Sequence, residues 1–132
     1  FSKKKRSEIM SRIRSKETGI EKAVFSQLRK RRVYFQRHYP KAPGKPDIAL
    51  PSKKRAVFIS GDFWHGYRFS VWKKRIPKIY WREKIESNVK RDKRNYRKLR
   101  KSGWKVMTVW GHTVLERPEK TARAIEAFLK RR

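Results

Sequence analysis

The chain contains no cysteine, which excludes disulfides and thiolate-bound zinc. Its three histidines, His38, His65 and His112, are too few for most all-histidine metal sites. Any metal must therefore lean on carboxylates and backbone oxygens, a donor set that points to magnesium. No stretch approaches the roughly 18 apolar residues of a membrane-spanning helix, and the N-terminus lacks the apolar core of a signal sequence. The expectation is a soluble, intracellular protein. Acids are scarce too: 11 Asp+Glu stand against 40 Lys+Arg in 132 residues, a formal charge of +29. Such a chain is drawn to polyanions by counterion release, with non-specific dissociation constants of roughly 10⁻⁴ to 10⁻⁶ M at physiological salt. Nucleic acid is the expected ligand. An anionic membrane would want a helix with one basic face opposite one broad apolar face. With 36% hydrophobic and 13% aromatic residues, the chain can build one core, which argues against disorder.

Residues 2–17 are basic, with isolated apolar positions Ile9, Met10 and Ile13, a weak helical spacing that also fits an arm ordered by DNA. Thr18-Gly19-Ile20-Glu21 matches a capping box, and Ile20, Val24, Phe25 and Leu28 continue at helical spacing to about residue 32. A β-favouring stretch at 33–37, a loop at 40–46 and a short strand at 47–50 follow. Ala56-Val57-Phe58-Ile59-Ser60 lacks alternation, as a central strand covered on both faces does. A basic, aromatic loop at 66–78, a long helix at 80–102, a strand at 104–110 and a helix at 118–130 complete the order ααβββαβα. One mixed α/β domain is expected at 18–132, with residues 1–17 as a DNA-contacting arm or helix.

Four residues stand out. Asp47 follows Pro46 and shares a strand face with Ala49; it is either a turn former or a magnesium ligand, the ion activating water and neutralising the phosphate. His65 ends Gly61-Asp62-Phe63-Trp64-His65, just past the central strand, and is either structural or a general base. On the long helix, at about 100° per residue, Asp92 falls inside the apolar stripe of Trp81, Ile85, Val89, Tyr96 and Leu99. An unpaired acid there is costly, so Asp92 either pairs with an arginine or orients the histidine. Glu21 lies within its own helix's apolar stripe yet is also the third helical position of the capping box. Phe63 and Trp64 cannot easily both face one core, which leaves core packing and a wedge between bases as the alternatives.

Together these segments resemble the very-short-patch-repair (Vsr) endonuclease family, which nicks DNA beside T:G mismatches. The blocks are Ser7-Glu8-Ile9-Met10-Ser11-Arg12-Ile13, Thr18-Gly19-Ile20-Glu21-Lys22, Pro43-Gly44-Lys45-Pro46-Asp47, the run from Val57 to His65, the run from Trp81 to Asp92, and Gly103-Trp104-Lys105-Val106-Met107-Thr108-Val109-Trp110. Their order and spacing are together highly specific. The resemblance implies a restriction-endonuclease-like fold, a central mixed β-sheet flanked by helices. It implies Asp47 and the Ile59 backbone carbonyl as magnesium ligands, Glu21 holding metal-bound water, His65 as general base and Asp92 orienting it. It also implies Phe63 and Trp64 entering the duplex from one groove and Met10 from the other. Arg12, Arg14, Lys45, Arg68, Lys73 and Lys74 are the expected DNA contacts. The family's structural zinc site is expected to be lost: Asp62 stands where a zinc cysteine would, and the region after it must be held by other packing, with Tyr67 and Trp72 as candidates.

The resulting expectation is a magnesium-dependent, strand-nicking endonuclease for double-stranded DNA with a T:G mismatch. It would work as a monomer in the bacterial cytoplasm, nucleoid-associated by charge, with mismatch-repair proteins as candidate partners. A Vsr-like homing nuclease acting on matched duplex and a non-catalytic basic DNA-binding module are the alternatives.

Overall fold

The computed structural model describes residues 2–63, 65–67 and 79–131. Helix α1 runs Lys3–Lys30, capped by the Ser2 hydroxyl, which accepts from the Lys5 N–H at 3.1 Å. It is one helix, not the two that the capping box suggests. Ile9 and Ile13 pack in one cluster and Ile20, Val24 and Leu28 in another from the same side of α1, and the turn before Thr18 already supplies carbonyls to the N–H groups a cap would satisfy. The boundary at residues 17 and 18 thus falls inside a helix. Gly19 sits exposed in mid-helix, and a Cβ there would meet nothing within 4 Å. Gly19→Ala is expected to stabilise the protein by about 0.5–1 kcal/mol, read by urea denaturation; no gain would mean that this turn is already frayed.

Strands β1 (Gln36–Arg37), β2 (Ile48–Leu50), β3 (Arg55–Ser60) and β4 (Lys105–Trp110) form a sheet in the order β1-β2-β3-β4. The first two junctions are antiparallel and β3 pairs parallel with β4. A short 3₁₀ turn at Pro51–Lys53 joins β2 to β3. Helix α2 (Ile79–Lys101) precedes β4, and α3 (Gly111–Glu116) and α4 (Pro118–Lys130) follow it. Helix α3 goes beyond the elements expected from the sequence, because under two turns shows no period to read.

Alternation along β3 explains the layers. Val57 joins Ile20, Val24, Leu28, Ile125 and Leu129 in a core with α1 and α4, whereas Ala56 and Phe58 join Leu99 of α2 on the opposite face. The strand is buried on both sides, as its unbroken apolar run requires. Helix α2 carries the stripe read from its periodicity: Trp81, Ile85 and Leu99 are buried, with Val89, Asp92 and Tyr96 half-buried. No helix among the described residues is long and apolar enough to cross a membrane.

Candidate active site

The antiparallel register pairs Ile48 with Val57, so two positions further along Pro46 would stand opposite Ile59. Proline has no N–H to give. The ladder ends there, and the Asp47 carboxylate takes over, with Oδ2 accepting the Ile59 N–H at 2.7 Å. Because N–H and C=O of one strand residue project to the same side, the Ile59 carbonyl projects to the β2 side of β3 as well. The loop before Asp47 is pressed onto α2 at Gly44, whose φ is +79°. A Cβ there would stand 3.1 Å from the Asn95 side chain and the Phe58 ring. Gly44→Ala is therefore expected to cost at least about 1 kcal/mol in a thermal melt and to shift Asp47 enough to slow turnover; an unchanged melt would mean the loop yields freely.

Across a cleft of about 290 Å³, lined by Lys45, Asp47, Ile59, His65, Arg91 and Asp92 among others, stands a second pair. His65 Nδ1 and Asp92 Oδ2 are 2.7 Å apart, both partly buried. His65 sits on a turn after β3, with its N–H donated to Gly61 O. That turn is fastened by Asp62, whose carboxylate contacts His112 Nδ1 at 2.9 Å and accepts the His112 N–H at 3.3 Å. The Tyr67 ring packs 4.4 Å from His112 and 5.1 Å from Trp110. Asp62 thus ties the turn after β3 to the start of α3.

Glu21 faces the Asp47 side of the cleft from α1, not from a helix N-terminus, and its Oε1 contacts His38 Nε2. The ligand atoms of Glu21, His38 and Asp47 all lie within 4.8 Å of one another. Two half-buried carboxylates and an exposed imidazole converging at this spacing fit a divalent cation. Burial drives the Asp47 carboxyl up to about 6 from 3.8; the Ile59 N–H and the two histidines His38 and His65 pull it down, and Glu21 pushes it further up. Burial and Asp92 likewise raise the Tyr96 hydroxyl.

The structure therefore gathers Asp47, Glu21, His65 and Asp92 around one end of β3, with Lys45 exposed at the rim. The sequence reading gave His38, Arg91 and Asn95 no role. Met10 and Phe63 lie together in a half-buried cluster with Ile9, Ile13, Trp81 and Ile85, the Phe63 and Trp81 rings meeting edge-on at 6.4 Å. Arg12 is exposed on α1. Trp64, Arg68, Trp72, Lys73 and Lys74 lie outside the described residues, as does the side chain of Arg14.

A mixed sheet that carries a lone carboxylate to the mouth of its central strand is the frame of the restriction-endonuclease-like nucleases, and this chain is built on it. The family model described as DNA mismatch endonuclease Vsr matches residues 1–71. The chain is 32% identical over 126 residues to DNA mismatch endonuclease Vsr of Escherichia coli, covering 95% of this chain and 81% of that one. It is 40% identical over 113 residues to Type II nicking enzyme V.XorIIP of Xanthomonas oryzae pv. oryzae, covering 83% and 82%. Type II nicking enzyme V.NmeAIP of Neisseria meningitidis is 42% identical over 113 residues, covering 83% and 79%. The chain belongs to the Vsr family of DNA mismatch endonucleases, and it is a DNA endonuclease.

Proposed function

We propose that the protein is a magnesium-dependent endonuclease that nicks one strand of double-stranded DNA beside a T:G mismatch, as in repair of deaminated 5-methylcytosine. The observation that carries this reading is the meeting of a carboxylate and cation-binding donors with a His–Asp pair across one cleft. The names of the relatives support the nick and the mismatch. Asp47 and the Ile59 carbonyl would hold the cation, with Glu21 accepting from its water. A cation bound there activates water and neutralises charge on the scissile phosphate. An Nδ1–H donated to Asp92 fixes the tautomer in which the His65 Nε2 lone pair takes the proton of the attacking water. Attack of the water oxygen on phosphorus breaks the P–O3′ bond, and the departing sugar oxygen takes a proton from solvent, leaving a 5′-phosphate and a 3′-hydroxyl. Lys45 and Arg91 offer cations to the flanking phosphates.

The basic first half of α1, including Arg12 and Arg14, would bind the DNA backbone together with Arg68, Lys73 and Lys74. Entry of Met10 and of Phe63 with Trp64 into opposite grooves requires the Met10–Phe63 cluster to part first. A monomer suffices for one nick, and mismatch-repair proteins are partners for delivery.

Conversion of a supercoiled plasmid carrying one T:G pair to open circle in Mg²⁺ but not in EDTA tests this reading; linear product would mean paired cuts instead. Proton and cation compete at Asp47, whose carboxyl is pushed up to about 6 by burial. Mg²⁺ affinity, followed calorimetrically, should be flat above about pH 7 and fall about tenfold per unit well below about pH 6. A profile flat to pH 5 would remove Asp47 from the ligand set.

A further inference from the structure

His38 is the cross-strand partner of Asp47. The β1–β2 register pairs Gln36 with Ala49 and Arg37 with Ile48, so His38 and Asp47 come next, and the His38 N–H donates to Asp47 O at 3.0 Å. Directly opposed residues of an antiparallel pair project to one face, which sets the imidazole beside the carboxylate. His38 reaches this place with φ at +48°, a left-handed conformation that a β-carbon resists. Its ring is then oriented from α1: Phe25 meets it edge-on at 5.8 Å, and Glu21, one turn earlier on the same helix face, meets Nε2. Two elements thus aim one nitrogen at the point where Glu21 and Asp47 converge.

Resting on the proposed cation site, we infer that His38 is a third protein ligand of that cation, supplying nitrogen, and that the site consequently binds a later divalent transition metal more tightly than magnesium. Magnesium takes oxygen donors and keeps its waters. An imidazole contributes little to it, whereas affinity for a nitrogen-containing site rises along the series from Mn²⁺ through Co²⁺. Oxygen ligands alone give a smaller preference, so the part of the ratio that depends on His38 is what its nitrogen supplies. The nuclease would still accept Mg²⁺, with His38 deciding how far other ions displace it.

Calorimetric titration of the full chain with Mg²⁺ and with Co²⁺ separately, without DNA, tests this. The wild type is expected to bind Co²⁺ at least about tenfold more tightly than Mg²⁺. His38→Ala should erase most of that ratio while changing Mg²⁺ affinity less than about threefold, and the Co²⁺ absorption bands should shift as a nitrogen ligand is lost. His38→Gln, which keeps a hydrogen-bonding partner for Glu21, should behave as His38→Ala does. Asp47→Asn should weaken both ions. An unchanged Co²⁺ to Mg²⁺ ratio in both His38 variants, with Asp47→Asn still effective, overturns the assignment of His38 alone. Indifference of both ions to Asp47→Asn overturns the cation site itself.

Discussion

Asp47→Asn is expected to abolish nicking and, in the absence of metal, to make the protein more stable. The carboxyl is pushed to about 6 from 3.8, chiefly by burial. The ionised form is therefore held at a cost in the folded state. For a group raised on folding, its contribution is fully present below the unfolded value and is lost as pH rises through the folded one. The penalty accordingly grows between about pH 4 and pH 6 and is complete above that. At about 1.4 kcal/mol per unit it reaches about 3 kcal/mol at most. Asn keeps an oxygen for the Ile59 N–H and carries no charge. Urea denaturation in EDTA should show the variant more stable than wild type by about 1–3 kcal/mol at pH 8 and by nothing near pH 4. A variant less stable at pH 8 would mean that the hydrogen bond outweighs burial. Nicking should fall by about 10³-fold or more, since the cation's share of transition-state stabilisation is several kcal/mol. Binding to DNA should persist, because removing one anion from a protein of charge +29 weakens nothing that holds a polyanion.

The second large effect concerns the pair across the cleft. His65→Ala should slow single-turnover nicking by about 10²–10⁴-fold, the usual worth of a positioned general base. Asp92→Asn should cost nearly as much, because an amide at 2.7 Å from Nδ1 favours the tautomer whose Nε2 already carries a proton. The double variant should be no slower than His65→Ala within about threefold, as residues acting as one unit are not additive. Independent, multiplying losses would show that Asp92 acts on the substrate without His65.

Where the sequence was legible, it was legible through periodicity. The stripe on α2 fixed the face of Asp92 because about six turns of one helix repeat the same signal; periodicity left an arginine or a histidine as its partner, and only the fold brings His65 to 2.7 Å from it. Asp47 was visible as a lone acid between Pro46 and an apolar strand. Other features depend on juxtapositions that local patterns do not carry. The capping box at Thr18 is a local signal that a preceding helical turn overrides. His38 gains its place only through the β1–β2 register across the loop that ends at Pro46, and Asp62 meets His112 only after α2 and β4 have been laid down. Met10 and Phe63, read as side chains bound for opposite grooves, are brought together by a helix longer than its capping motif suggests.

Cleavage of end-labelled duplexes that differ only in one T:G or T:A pair, with Mg²⁺ or EDTA at moderate salt, tests the proposed activity most directly. Mg²⁺-dependent cleavage confined to one strand of the T:G duplex, and absent with Asp47→Asn, is expected. Equal cleavage of both duplexes would contradict the mismatch assignment and favour a nuclease for matched DNA, whereas tight binding with no cleavage of either would contradict a T:G target.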